Sequence, residues 1–211
     1  MKVLVACEES QAVCIAFRKL GHEAYSCDTQ ECSGGHPEWH IKGDVLPLIN
    51  GNKPFITMDG DLHAIVGTWD LLIAFPPCTY LTNAGSVRLR IKGEINKERM
   101  EKAVEAKAFF MKFLEADCQK ICVENPTPGK IHQLPQYTQA IQPWWFGHPY
   151  TKRTCLWLKN LPPLTPTDII REGVTPYVNG GCKDAHGNYR RFQGRNERDP
   201  KTRSKTFPGV A

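Results

Sequence analysis

The chain has 211 residues, of which 41% are hydrophobic and 23% charged, with a formal net charge of +5. These values exclude a collagen-like, low-complexity or intrinsically disordered chain, and no apolar run reaches the length a membrane-spanning helix needs. The length suits one well-buried α/β domain with a small appendage.

Residues 3–6, within Met1-Lys-Val-Leu-Val5, read as a first strand and lack the long apolar core and cleavage site of a secretory signal. The expected compartment is therefore the cytoplasm, where nine scattered cysteines read as free thiols. Residues 10–20 are expected to form a helix that buries Val13, Ile15, Ala16 and Leu20 and stops at Gly21. Residues 22–27 return as a second strand ending at Asp28, and Gly43-Asp44-Val45 marks the end of a third. Residues 70–75 make a fourth strand. Residues 94–115 are the clearest helix, with Met100, Ala103, Val104, Ala108, Met111 and Leu114 on one face. Residues 121–124 and 154–158 supply a fifth and a sixth strand. This alternation implies a mostly parallel sheet with helices on both faces. Beyond Leu161-Pro-Pro-Leu-Thr-Pro166 the chain is rich in Pro, Gly and Arg and has little periodicity. Residues 1–161 are accordingly read as the principal domain and 162–211 as an irregular basic appendage.

Two strand ends carry chemistry. Asp70-Leu-Leu-Ile-Ala-Phe-Pro-Pro-Cys78 is an apolar run that delivers a thiol to a proline-fixed turn. Lys120-Ile-Cys-Val-Glu124-Asn125-Pro126 ends in the same way with a carboxylate. The intervening helix makes the pair a βαβ unit, so both groups would face one crevice at the carboxyl edge, where open α/β sheets bind ligands. A thiol and a carboxylate there suggest covalent chemistry on a polar ring. The structural alternatives are a buried thiol at Cys78, a helix cap or lysine partner at Glu124, and a plain surface charge at Arg153. Between Tyr189 and Lys205 there are seven basic residues against two acidic ones. Such a segment could track a phosphate backbone, or could be a solvated tail.

In order and spacing these motifs resemble those of the DNA cytosine-C5 methyltransferases over residues 1–160. Phe75-Pro76-Pro77-Cys78 is similar to that family's Pro-Cys motif and Glu124-Asn125 to its Glu-Asn motif. Phe146-Gly-His-Pro149-Tyr-Thr-Lys152-Arg153-Thr-Cys-Leu-Trp157 resembles its Gly-x-Pro-Gln-x-Arg-x-Arg motif. The resemblance implies a Rossmann-like fold that transfers a methyl group from S-adenosylmethionine to C5 of cytosine in DNA. Cys78 would add to ring C6 and Glu124 would hydrogen-bond N3 and the exocyclic amine. Arg153, or Lys152, would meet the ring oxygen or a phosphate. Glu8, Glu9, Ser10, Gln11, Asp28, Asp44 and Pro76 would line the cofactor site. Lys152, Arg190, Arg191, Arg195 and Arg198 would contact DNA, from which the target base must be flipped. The compact form looks like versions carried by bacteriophages and prophages, which would place it in a host cytoplasm.

The chain departs from the family in its donor loop, Ala6-Cys7-Glu8-Glu9-Ser10-Gln11, which has no glycine. Ser10 could cap the helix that follows. The region after the arginine motif is short, so DNA reading would be reduced. Two other classes stay open: an amino (N4 or N6) methyltransferase, whose motif is a polar residue, Pro-Pro and an aromatic, and a non-catalytic nucleic-acid-binding protein that kept the fold. Single strands or free nucleotides are alternative substrates. Cys27, Cys32, His36 and His40 have a metal-like spacing, but Gly34-Gly35 and Pro37 interrupt it and no metal is assigned. Trp144-Trp145-Phe146 reads as packing rather than a base-stacking platform.

Overall fold

The computed structural model describes residues 1–91, 93–177, 180–183, 189–192 and 204–211, with backbone alone at 180–183 and 189–192. Seven strands form the central sheet: β1 (Lys2–Ala6), β2 (Glu23–Asp28), β3 (His40–Lys42), β4 (Leu71–Ala74), β5 (Ile121–Pro126), β6 (Gln139–Ile141) and β7 (Thr154–Lys159). Their order is β6-β7-β5-β4-β1-β2-β3. The ladders β1–β2, β2–β3, β1–β4 and β4–β5 are all parallel. The chain lays β2 and β3 on one side of β1 and then crosses to β4 on the other. That reversal opens a crevice beyond the carboxyl ends of β1 and β4, the position where doubly wound sheets hold ligands.

Burial explains why these segments are strands. Val3, Leu4, Val5 and Ala6 are wholly inaccessible, as expected of a parallel strand covered on both faces. Alternate residues serve opposite faces. Leu4, Ala6, Leu72, Ala74, Ile121 and Val123 pack with Phe110 and Phe113 of a long helix, α2 (Lys97–Leu114). Val3, Val5 and Leu71 pack with Val13 and Cys14 of α1 (Ala12–Lys19).

Both helices differ in detail from the sequence expectation. α1 buries Val13 and Cys14 with Phe17 alongside, whereas Leu20 is exposed. Leu20 follows the helix as its C-cap, and Gly21 (φ +79°) completes a Schellman turn. There His22 N–H donates to the Phe17 carbonyl and Gly21 N–H to that of Arg18. α2 starts at Lys97 because residues 94–95 pair with 90–91 in a small hairpin. The Asn96 side chain then caps the helix by accepting from Arg99 N–H. Its buried stripe is Ala103, Phe110 and Phe113, while Val104 and Ala108 are exposed. Two bulky phenylalanines set the rotation of α2 and carry Val104 and Ala108 of the expected face outward, while Ala103 stays inside.

β6 has no strong apolar run and was not foreseen, nor was the hairpin of Pro54–Ile56 with Leu62–Ala64. Met1–Ala140 with Cys155–Pro163 form one compact unit, and Ile141–Thr154 with Leu164–Ala211 form another. In the second unit Tyr150–Thr151 pair in parallel with Thr175–Pro176, and Gly180–Lys183 pair antiparallel with Tyr189–Phe192. Among the described residues no helix is long and apolar enough to cross a membrane.

Candidate active site

The loop after β1 reaches its shape without a glycine of its own. Cys7 and Gln11 both take left-handed backbone, each with φ 59°, which is uncommon for residues with a Cβ. Glu8 N–H donates to the Cys27 carbonyl (3.2 Å), which ties the end of β1 to that of β2. The Glu8 carboxyl turns back on α1, accepting from Val13 N–H (2.7 Å) and Cys14 N–H (3.2 Å). Ser10 therefore does not cap the helix: the N-cap residue is Gln11, which makes no side-chain cap bond, and Glu8 satisfies the first turn instead. Burial, with a smaller push from the neighbouring Glu9, raises the Glu8 carboxyl to about 7 against the downward pull of those two bonds.

Gln11 is fully buried. Its Nε2 donates to the His36 carbonyl (2.9 Å) and its Oε1 accepts from His36 N–H (3.1 Å). The side chain thus clasps the 33–36 segment, a holding role distinct from the cofactor contact expected of it. Ser33 N–H adds a bond to the Glu9 carbonyl. The close approach depends on Gly34, where a Cβ would lie 2.6 Å from Gln11 Cβ and 2.7 Å from the Ser10 carbonyl oxygen. The glycine that lets this loop pack tightly lies in the segment against it and not in the loop itself.

The floor of this crevice is acidic. Glu8 and Glu9 are buried, Asp28 ends β2, and Asp44 lies just beyond β3. Asp28 Oδ1 accepts from Gln30 N–H and Asp44 Oδ1 from Leu46 N–H, so each carboxylate is fixed by its own turn. Burial, with the charges of Asp28 and Asp44, pushes the Cys27 thiol up to about 12. The same causes raise the Cys7 thiol.

Cys78 stands beyond β4. Phe75 N–H donates to the Ala6 carbonyl, Pro76 is buried, and Cys78 is half-buried. The Cys78 carbonyl accepts from Leu81 and Thr82 N–H, which starts a turn into the short helix Asn83–Ser86. β5 lies beside β4 with Ala74 opposite Val123, so Glu124 is the next residue out along the same edge. Half-buried Glu124 is followed by fully buried Asn125. The segments beyond the two strands are joined directly. Asn83 N–H donates to the Thr127 carbonyl and Gly129 N–H to that of Leu81, and Thr82 bridges Pro128. No pattern in the sequence announced this joint, although Gly129 was a clue: a Cβ there would lie 2.0 Å from Ser86 Oγ.

In the second unit, Arg153 is exposed and Lys152 half-buried. Lys152 Nζ lies over the rings of Tyr177 (5.9 Å) and Phe207 (5.7 Å), a cation–π arrangement. Trp144 and Trp145 are half-buried and meet edge to face, and Phe146 is buried. Arg190 and Arg191 lie on a strand opposite Cys182 and Gly181. Arg195 and Arg198 lie outside the described residues.

The metal-like spacing comes apart in three dimensions. His40 is fully buried. Its Nδ1 meets Ser26 Oγ (2.8 Å) and its Nε2 the Gln30 carbonyl (2.9 Å). His36 stacks on Trp39 at 3.9 Å and pairs with Glu38. Among the described residues no three of His, Cys, Asp and Glu are grouped to hold a metal ion.

Fold and strand ends together define the class, a doubly wound, Rossmann-like α/β protein with an acidic crevice at its switch point. No protein-family profile matches the chain, and no curated protein matches it. Among solved structures it is similar to a prophage-encoded Escherichia coli protein named, provisionally, as a DNA modification methyltransferase. That similarity has a TM-score of 0.45 and 12% identity over 83% of this chain and 53% of the other. The chain therefore spans about half the length of that protein.

Proposed function

We propose that this protein is a DNA cytosine-C5 methyltransferase using S-adenosylmethionine. The observation that supports the proposal is that adjacent parallel strands carry Cys78, four residues beyond β4, and Glu124, in β5, to the same sheet edge, beside buried Glu8 and Glu9, whose charge suits a cationic, phosphate-free donor. A dinucleotide would seat its pyrophosphate on the N-terminus of α1. Here the Glu8 carboxyl already holds those N–H groups, and the acids around it repel phosphate. The same acids complement a sulfonium and an ammonium, and Asp28, at the end of β2, is assigned to a ribose hydroxyl of the donor.

The donor supplies a methyl group on a positively charged sulfur. The Cys78 thiolate adds to C6 of cytosine, and the ring electrons shift toward N3 to leave a nucleophilic C5. Glu124 holds N3 and the exocyclic amine and stabilises that shift. C5 would then take the methyl group that a bound donor supplies, with the sulfur keeping the electron pair of the broken bond. Solvent removes the C5 proton, and the released pair expels Cys78 and restores the ring. Lys152 and Arg153 are assigned to the ring oxygen or a nearby phosphate, and the basic residues beyond Tyr189 to the DNA backbone.

The amino-methyltransferase reading is weaker on one point. It needs a hydrogen-bond acceptor ahead of Pro-Pro, and that position is Phe75, packed with the Val3–Val5 cluster. The test is trapping with DNA that contains 5-fluorocytosine, whose C5 cannot release a proton. Wild type with S-adenosylmethionine is expected to form a stable protein–DNA adduct that Cys78→Ala does not form. Methylation without an adduct would refute the covalent route, and donor-independent DNA binding with no methylation would favour a protein retained for binding alone.

A further inference from the structure

We infer that Arg99, Ser86 and His132 are positioning residues that fix Cys78 against Glu124, by clamping the segment after the thiol onto the segment after the carboxylate. The inference rests on the reading of Cys78 and Glu124 given above. None of the three side chains is assigned a contact with substrate or donor.

The clamp has two arms. Arg99, in the first turn of α2, reaches back to the turn that Cys78 begins. Its Nη2 donates to the Thr79 carbonyl (3.0 Å) and to that of Gly85 (3.2 Å), and its guanidinium lies 4.9 Å from the centre of the Tyr80 ring. One planar cation therefore grips the backbone at both ends of residues 79–85 through a single nitrogen while its plane lies over Tyr80, a reach and a ring contact that the shorter, non-planar lysine head does not reproduce. The turn is also capped from within, because Thr82 Oγ1 accepts from Gly85 N–H (3.0 Å).

The second arm crosses to the β5 side. Ser86 Oγ donates to the Thr82 carbonyl (2.9 Å) and lies 3.0 Å from His132 Nε2. The hydroxyl has spent its one proton on Thr82, so Nε2–H of a neutral His132 must be the donor. His132 is buried. Burial, with the charges of Arg99 and Lys107, holds its imidazolium form below the ordinary histidine range. Two glycines permit the approach. At Gly85 a Cβ would fall 2.5 Å from the Thr79 carbonyl oxygen, and at Gly129 it would fall 2.0 Å from Ser86 Oγ.

Short backbone bonds already join the two segments, so the side-chain clamp is not needed for β4 and β5 to pair. What it adds is a fixed height and direction for the turn that presents Cys78. A reacting group displaced by about 1 Å can lose about a hundredfold in rate, and the clamp acts on that scale.

The experiment compares wild type with Arg99→Lys, Ser86→Ala, His132→Leu and His132→Gln. The readouts are the rate of adduct formation on 5-fluorocytosine DNA, the affinity for S-adenosylmethionine by calorimetry, and Tm. Arg99→Lys, Ser86→Ala and His132→Leu are expected to slow adduct formation about tenfold to a hundredfold, with donor affinity unchanged. His132→Gln keeps an N–H donor near Nε2 and is expected to recover most of the rate. Variants that trap at the wild-type rate would overturn the inference and leave the cytosine reading intact. So would a rate loss matched by an equal loss of donor affinity, or a His132→Gln variant no better than His132→Leu. A wild type that forms no adduct would overturn both.

Discussion

Glu8→Gln tests the account of the donor loop. The folded protein holds the Glu8 carboxyl at about 7 against an ordinary 4.5, chiefly through burial. At about 1.36 kcal/mol per pKa unit, that difference corresponds to about 3 kcal/mol. The folded state keeps a proton that the unfolded chain gives up. Its stabilising contribution is therefore complete below pH 4.5 and is lost as pH rises through about 7. Glutamine has nearly the shape of the protonated acid and never ionises; it keeps an acceptor oxygen for Val13 N–H but loses the second acceptor, which faces Cys14 N–H, at a pH-independent cost of about 1 kcal/mol. Relative to wild type, the variant should gain up to about 3 kcal/mol of stability as pH rises from 4.5 to 8, on top of that constant cost. Urea unfolding of both proteins from pH 5 to 8 measures this. His40, whose imidazolium is disfavoured by burial, is present in both proteins, so its contribution cancels in the difference. A difference that stays flat across this range would refute the reasoning. So would a wild type more stable than the variant at pH 8, which would mean that the ionised carboxylate gains more from Val13 and Cys14 N–H than its burial costs.

Gly34→Ala should cost about 1–3 kcal/mol, the usual range for overpacking. Because the clash falls on Ser10 and Gln11, it should also weaken S-adenosylmethionine binding about tenfold; a calorimetric affinity equal to wild type would detach Gly34 from the loop. Lys152→Met keeps the aliphatic stem over Tyr177 and Phe207 and removes the charge. It should lower stability by about 0.5–1 kcal/mol and flatten the salt dependence of DNA binding, which titrations at two ionic strengths would show.

The sheet was legible because parallel strands buried on both faces leave unbroken apolar runs, as in residues 3–6 and 71–74. The Gly21 stop was legible because a left-handed turn favours glycine. Of the proposed site, the sequence offered only the two apolar runs that Cys78 and Glu124 follow. Its supports were hidden because they act across long separations. Glu8 caps a helix from outside it, Gly34 makes room for Gln11, and His132 meets Ser86 across 46 residues. The face of α2 was misread because side-chain bulk, not only period, decides which stripe turns inward: Phe110 and Phe113 outweigh Val104 and Ala108.

The most direct test is to incubate the protein with S-adenosylmethionine and mixed-sequence DNA, digest to nucleosides and identify the products by mass spectrometry. The account predicts 5-methylcytosine with wild type and none with Cys78→Ala. A methyl on the N4 or N6 amine, or 5-methylcytosine that persists in Cys78→Ala, would contradict it.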